Sequence, residues 1–128
     1  MPLLVDSSVW IDYLRSGKLP LADFESNLIK GEIAICGVIL AEILSGVKNE
    51  QEAQALKSRL LSLPYLSERK DSFVKAAALY SSLRKSGITI PLSDCIISAI
   101  ALENGCRLLT SDKHFETIPG FDEWGELC

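Results

Sequence analysis

The stretch LLVDSS at residues 3–8 decides the fold class of this chain. A short apolar run, Leu3–Val5, ends at a single carboxylate, which is typical of a buried strand. The two serines that follow are an N-cap signal, and they predict a helix over Val9–Leu14 that stops at Ser16-Gly17. A buried strand that leads directly into a helix indicates an α/β protein.

The same alternation continues along the chain. Further strands are predicted at Ile33–Cys36, Tyr65–Ser67, Leu108–Thr110 and, at an edge of the sheet, Phe121–Trp124. Further helices are predicted at Leu21–Lys30, Val38–Leu44, Asn49–Leu63, Asp71–Ser86 and from Pro91 to Asn104. Strands that alternate with helices predict a three-layer α/β/α fold, in which helices flank a short, mostly parallel central sheet. The 128 residues fit one such domain, spanning 1–128.

The composition is that of an ordinary globular protein, with 48% hydrophobic and 23% charged residues. No apolar run approaches the roughly 18 residues that a membrane helix needs. The N-terminus lacks the basic and apolar regions of a signal peptide, so we expect a cytosolic protein with no membrane contact. The net charge of −4 argues against a protein that coats nucleic acid by bulk positive charge. It does not exclude an enzyme that grips a few phosphates through bound cations.

Cysteine and histidine usage argues against two large classes of enzyme site. None of the four cysteines forms a CxxC pair, and His114 is the only histidine. A structural zinc site usually needs closely spaced cysteine and histidine pairs. A Ser-His or Cys-His nucleophile system would have to use His114, in a charged turn, as its base. Structural zinc and covalent catalysis are therefore set aside.

Three carboxylates stand alone in apolar stretches. Asp6, Glu42 and Asp94 are the only charged residues within 1–11, 33–47 and 87–102, respectively. Burial of an unpaired carboxylate is costly, so each of them needs a cation, strong donors or water. Asp6 and Asp112 also follow predicted strands, and ligands of such folds bind beyond the carboxyl ends of the strands. These acids are the candidate site.

One or two divalent ions would neutralise these acids together. Mg²⁺ and Mn²⁺ prefer hard oxygen ligands and suit a ring of three or four carboxylates without histidine. Such ions activate water and stabilise charge on phosphate, which indicates phosphodiester hydrolysis without a covalent intermediate. Structural roles also stay open: a helix cap for Asp6, a partner of the helix dipole for Asp94, and a turn former for Asp112. Glu42 resists such a role, because the helix Val38–Leu44 is apolar on nearly every side.

These residues resemble the four motifs of PIN domains, and specifically those of the VapC toxins of bacterial and archaeal toxin–antitoxin pairs. The matching segments are VDSSVWID (5–12), AEILSG (41–46), LSD (92–94) with the helix 96–101, and LTSDKHF (109–115). The match runs from Leu3 to about Ile118. Any one motif is weak, but four in the family's order over nearly the whole chain are specific.

The resemblance implies a PIN-like fold in which Mg²⁺ or Mn²⁺ is held by four catalytic acids, Asp6, Glu42, Asp94 and Asp112. It implies that Ser7 and Thr110 place hydroxyls beside the water on the metal. The implied activity is endoribonuclease cleavage of RNA. The implied partner is a small VapB-like antitoxin whose tail occupies the active-site groove, and the toxin is expected to form a homodimer.

Other functions stay open beside the toxin. PIN domains include RNA-processing enzymes and structure-specific nucleases that cut DNA flaps, and a PIN-like scaffold could bind RNA or a partner without cutting. A receiver domain is disfavoured, because no aspartate lies between Asp23 and Asp71 to accept a phosphoryl group. A haloacid-dehalogenase-type phosphatase is disfavoured because Ser8 stands where its Asp-x-Asp motif needs an acid.

Basic and aromatic residues add weaker candidates for RNA contact. Arg84 and Lys85 are the best candidates for a phosphate contact, because they precede the Gly87 turn that leads to Asp94. Trp10 and Trp124 could stack on a base, but packing in the core or at an interface is the favoured interpretation.

Overall fold

Five short strands form one parallel sheet in the computed structural model, which describes residues Pro2–Cys128. The strands are β1 (Leu3–Val5), β2 (Ile33–Cys36), β3 (Tyr65–Leu66), β4 (Arg107–Thr110) and β5 (Gly125–Leu127). Their order across the sheet is β3-β2-β1-β4-β5, and every neighbouring pair is parallel. At the last edge, the N–H of Cys128 continues the ladder by donating to the carbonyl of Thr110 at 2.8 Å.

Helices connect and cover these strands. They are α1 (Ser7–Ser16), α2 (Phe24–Ile29), α3 (Gly37–Ser45), α4 (Glu50–Leu61), α5 (Lys70–Lys85), α6 (Leu92–Glu103) and α7 (Phe121–Trp124), with a short 3₁₀ helix at Lys113–Thr117. Within Pro2–Cys128, no helix combines the length and the apolarity needed to cross a bilayer.

The sheet is covered on both faces. Successive residues of a strand point to opposite faces, and all four residues of β2 are 0% exposed. Leu4 and Val5 of β1 and Leu108 and Leu109 of β4 are equally buried. Parallel strands buried on both faces require helices on each side. The predicted three-layer α/β/α fold with a parallel central sheet is therefore confirmed.

The sheet order places a crevice beyond the central strand. β1 pairs with β2 on one side and with β4 on the other. The strands that follow β1 in the chain are therefore added first on one side of it, as β2 and β3, and then on the other side, as β4 and β5. In open α/β sheets, the connections leave the carboxyl ends of the strands on opposite sides at this point, and a ligand crevice forms. Asp6 directly follows β1, and Asp112 follows β4 by two residues.

The predicted edge strand Phe121–Trp124 is wrong. These residues form the one-turn helix α7, and the edge strand is Gly125–Leu127 instead. Gly120 starts the turn with a φ of 72°, and the i,i+3 spacing brings the rings of Phe121 and Trp124 to 5.2 Å between centroids. The aromatic residues that suggested a strand therefore pack on each other across one helical turn.

The second predicted helix, Leu21–Lys30, is shorter than expected. The helix begins at Phe24, after a turn in which the N–H of Phe24 donates to the carbonyl of Leu21. Phe24 is fully buried and meets the ring of Trp10 edge-on at 5.5 Å. The packing of the Phe24 ring therefore determines where α2 begins, and not the position of Leu21, the first apolar residue of the predicted helix.

Candidate metal centre

Asp6 lies where β1 ends and α1 begins. It is the N-cap residue of α1, with an extended backbone, and its carbonyl accepts the N–H groups of Val9 and Trp10. Its own N–H donates to the carbonyl of Leu109 in β4 at 2.9 Å. The residue is only 4% exposed. Both the sheet and the helix therefore hold this carboxylate in place.

Two hydroxyls bind the same oxygen of Asp6. Ser8 Oγ and Thr110 Oγ1 each donate to Asp6 Oδ2 at 2.8 Å. Thr110 Oγ1 also accepts the N–H of Asp112 at 3.0 Å, which orients the turn that follows β4. The side chain of Asp6 accepts no backbone N–H group of α1, so its predicted alternative role as a side-chain cap is absent.

Glu42 projects from the middle of α3 toward the start of α1. Its Oε1 accepts a hydrogen bond from Ser7 Oγ at 3.1 Å. Burial raises the pKa of Glu42, the hydrogen bond from Ser7 lowers it, and the charges of Asp6 and Asp112 raise it further. α3 is not enclosed on all sides, since Ala41 is exposed. Glu42 therefore lies near the other acids because of the side of α3 on which it stands, and not because α3 has no side exposed to solvent.

Asp94 lies in the first turn of α6 and is 6% exposed. The pKa of Asp94 is raised to about 7, first by burial and then by the charges of Asp112, Asp6 and Glu42, against an opposing effect of His114. Its Oδ2 is buried and accepts no hydrogen bond. Such an orphaned buried oxygen is unusual in a folded protein and needs an explanation.

Asp112 caps the 3₁₀ helix that follows β4. Its Oδ1 accepts the N–H of His114 at 2.9 Å, which is the turn-forming role that the sequence left open for it. The ring of His114 folds back over this cap, with Nδ1 at 3.2 Å from Asp112 Oδ1 and at 3.6 Å from Asp94 Oδ2. The local cap and the position beside Asp94 are compatible with each other.

The charges of these acids act on one another. Asp6, Glu42 and Asp112 all contribute to the pKa of Asp94, so the four carboxylates lie near one another at the carboxyl ends of β1 and β4. Two of them, Asp94 and Asp112, each have a ligand atom within 4.8 Å of the other and of one on His114. The donor set of hard oxygens and the orphaned Oδ2 of Asp94 fit a Mg²⁺ or Mn²⁺ ion. An arrangement of this kind can bind a divalent cation and present it to a phosphate.

The weaker candidates for RNA contact lie outside this cluster. Arg84 and Lys85 are exposed in the last turn of α5, and the guanidinium of Arg84 lies 5.4 Å from the centre of the Tyr80 ring. Trp10 is 3% exposed and belongs to the core. Trp124 is partly buried, and its Nε1 donates to the carbonyl of Pro119. Both tryptophans therefore serve packing.

Two residues beside the acids were missed in the sequence. Ser8 was interpreted only as part of an N-cap signal, yet it bonds Asp6, while Ser7 bonds Glu42. Consecutive residues at a helix start point in different directions, so the pair SS indicated contacts with two separate groups but not with which acids. His114 was considered only as a base for covalent catalysis. Its position two residues after Asp112 was the sequence signal that could have placed it beside the acids.

The family model of the PIN domain matches residues 3–120. The match includes β1, β4 and all four acids, and the chain therefore belongs to the PIN-domain family. Among its relatives, ribonuclease VapC11 of Mycobacterium tuberculosis is 31% identical over 121 residues, which cover 91% of this chain and 90% of the relative. By that relationship, the chain is a member of the VapC group within the family.

More distant relatives agree with this placement. Ribonuclease VapC1 of Methanocaldococcus jannaschii is 29% identical, over 93% of this chain and 82% of the relative. The fold is similar to that in the crystal structure of DNA-bound VapBC from Salmonella typhimurium, with a TM-score of 0.82 and 18% identity, over 98% of this chain and 97% of that one. At this identity the structural likeness concerns the fold alone.

Proposed function

We propose that this protein is a divalent-metal-dependent endoribonuclease and the toxin of a type II toxin–antitoxin pair. One observation carries the proposal: the buried carboxylate of Asp94 has an orphaned oxygen and a pKa raised to about 7 among three other acids. Such crowding is costly without a cation, and perturbed carboxylates in a cleft are typical of catalytic sites. The family membership supports the choice of RNA as substrate.

In this proposal, Asp6, Glu42, Asp94 and Asp112 hold Mg²⁺ or Mn²⁺. When bound, such an ion lowers the pKa of a water and stabilises charge on the phosphate. Thr110 and Ser8 keep Asp6 in one orientation through their bonds to its Oδ2.

Proton transfer is assigned to Glu42. Because burial raises its pKa, Glu42 is a better proton acceptor than an exposed glutamate. Ser7 binds Oε1 of Glu42, so its other oxygen is left to face the ion and the water on it.

An antitoxin partner is supported by a separate surface. An open groove between α1, α2 and α4 is lined by apolar residues, including Leu28, Ile29, Leu56 and Leu63. Ile29 is 88% exposed, and contiguous exposed apolar surface marks a binding site. Solved structures of similar fold include a toxin–antitoxin complex from Klebsiella pneumoniae. We propose that a small VapB-like antitoxin binds this protein in the cytosol. We also propose that the toxin is a homodimer, and light scattering on the purified protein tests its oligomeric state.

The activity test is cleavage of a fluorogenic RNA by the purified protein in Mn²⁺. The proposal expects cleavage that EDTA abolishes and that an Asp6→Asn variant loses. An Asp122→Asn variant is the matched control, because Asp122 is an exposed aspartate on α7, away from the cluster. Equal cutting by Asp6→Asn would identify a contaminating nuclease or a wrong site.

Two further substrates separate the remaining alternatives. A flap DNA cut faster than the RNA would favour a structure-specific DNA nuclease. Binding of several RNAs without cleavage, in both Mg²⁺ and Mn²⁺, would favour a scaffold without catalysis.

A further inference from the structure

His114 stands close enough to the acidic cluster to share a cation with it. One ligand atom each from Asp94, Asp112 and His114 lies within 4.8 Å of the others. The Nδ1 of His114 is the atom that faces both carboxylates. Its backbone is fixed on the 3₁₀ helix by the 2.9 Å bond from its N–H to Asp112 Oδ1. The histidine is therefore presented by a short, tethered segment.

A second observation points to a ligand at this place. The side chain of Asp94 is 9% exposed, and its Oδ2, which faces His114, is buried without a hydrogen bond. At 3.6 Å, the separation from Nδ1 is too long for a good hydrogen bond. A carboxylate oxygen and an imidazole nitrogen that face each other at this distance leave room for both to bind one ion, since metal–ligand bonds are about 2.0–2.2 Å long.

We infer that His114 Nδ1 is a metal ligand together with Asp94 and Asp112, and that it makes the centre select Mn²⁺ over Mg²⁺. The inference rests on the proposed function. Imidazole nitrogen binds transition-metal ions well, whereas Mg²⁺ strongly prefers oxygen. Binding requires the neutral ring with the proton on Nε2. The ring is 54% exposed, so Nε2 can donate to water. The ring of carboxylates expected from the sequence becomes a mixed oxygen and nitrogen site.

A simpler explanation of the geometry competes with this one. A protonated His114 could form ion pairs with Asp94 and Asp112 and bind no metal. The two explanations differ in what His114→Ala does to metal affinity. An ion pair competes with any cation, so its loss would improve the binding of Mg²⁺ and Mn²⁺ alike. A His114 that binds the metal favours Mn²⁺, so the loss of its imidazole would weaken the binding of Mn²⁺ and leave that of Mg²⁺ nearly unchanged.

The test is metal binding to the full chain without RNA. The Kd values of Mn²⁺ and Mg²⁺ are measured by calorimetry and competition for the wild type, His114→Ala and Glu116→Gln. Glu116 is an exposed acid on the same 3₁₀ helix and controls for loss of local charge. We expect His114→Ala to raise the Kd of Mn²⁺ at least about 10-fold, with a change under about 2-fold for Mg²⁺. Glu116→Gln should leave the ratio of the two constants unchanged.

A spectroscopic readout identifies the ligand directly. The chain contains one histidine, so any imidazole nitrogen coupled to bound Mn²⁺ in pulsed electron paramagnetic resonance belongs to His114. The coupling should appear in the wild type and in Glu116→Gln and disappear in His114→Ala. Its absence from the wild type, or equal losses of both cations in His114→Ala, would overturn the inference. If RNA cleavage still needs metal in that case, the proposed function stands without it. No Mn²⁺ binding at millimolar concentration would overturn both.

Discussion

The hydroxyl of Thr110 donates a 2.8 Å hydrogen bond to Oδ2 of Asp6 and joins the ends of two adjacent strands whose residues lie 104 positions apart in the chain. Thr110 is 0% exposed, so this bond is shielded from water. The same hydroxyl accepts the N–H of Asp112. One side chain therefore sets the orientation of the acid that follows β1 and of the turn that carries an acid after β4.

Replacement of Thr110 by valine should lower both stability and cleavage. Valine keeps the shape but removes the donor to Asp6 and the acceptor for the N–H of Asp112, and unsatisfied buried polar groups cost about 1–3 kcal/mol. Urea denaturation and RNA cleavage in Mn²⁺ measure the two effects. Thr110→Ser keeps the hydroxyl and should retain most of the activity. Equal activity of the valine and serine variants would show that the hydroxyl does not position Asp6.

The stability of the metal-free protein should fall as the pH rises from about 4 to about 7. The folded state raises the pKa of Asp94 from 3.8 to about 7 and therefore binds its proton more tightly than the unfolded chain does. Stability from this group is complete below the unfolded pKa and is lost as the pH rises through the folded pKa. At about 1.4 kcal/mol per pKa unit, the loss is at most about 4 kcal/mol.

Denaturation in EDTA across this pH range measures the effect. Asp94→Asn cannot ionise, so its stability should change much less with pH, and at pH 8 it should exceed that of the wild type. Asp122→Asn should retain the wild-type slope. A wild-type curve parallel to that of Asp94→Asn would mean that Asp94 is not crowded by the other acids.

Divalent metal should raise the melting temperature of the wild type. A cation that binds only the folded state stabilises it by an amount that grows with the logarithm of its concentration, and 100 times the Kd gives about 2.7 kcal/mol. For a domain of this size, that corresponds to several degrees. Differential scanning fluorimetry in millimolar Mn²⁺ measures the shift, which should largely disappear in Asp94→Asn. No wild-type shift would count against the centre itself.

Gly125→Ala should destabilise the protein by about 1–3 kcal/mol, because a Cβ at this position would overlap the ring of Phe121. Phe121 is a core residue, and its ring cannot move without disturbing Trp124. Thermal unfolding measures the change. Gly46→Ala is the matched control: its Cβ would meet no atom closer than 3.6 Å, and its backbone is right-handed. A similar loss in both variants would indicate a general cost of glycine replacement.

The fold could be predicted to a large extent because the decisive signals are local. The strand Ile33–Cys36 is continuously apolar and bounded by Gly31 and Gly37, and it occurs at these residues in the structure. The region after Pro119 could not be predicted, since the choice between α7 and a strand depends on how Phe121 packs against Gly125. That contact is tertiary and leaves no periodic pattern.

Asp6, Glu42 and Asp94 could be selected from the sequence because each isolated charge in an apolar stretch demands a partner, and Asp112 because it follows a predicted strand. Their hydrogen bonds could not be assigned, since Ser7 and Ser8 are equivalent as letters and separate only when α1 gives each its direction. The direction of the His114 ring is likewise set by the cap at Asp112. The reason given for Glu42 was wrong in part, because α3 does have an exposed side at Ala41.

The bond between Cys128 and the Thr110 carbonyl has a practical consequence for recombinant work. An affinity tag fused after Cys128 would emerge beside Thr110, which binds Asp6, and a hexahistidine tag would bring extra imidazoles close to the proposed metal centre. Because all the strands are parallel, their N-terminal ends lie together, at the end of the sheet opposite to the acids. A tag placed ahead of Leu3 therefore leaves the molecule on the side remote from the carboxylates, and is the safer handle for every metal measurement.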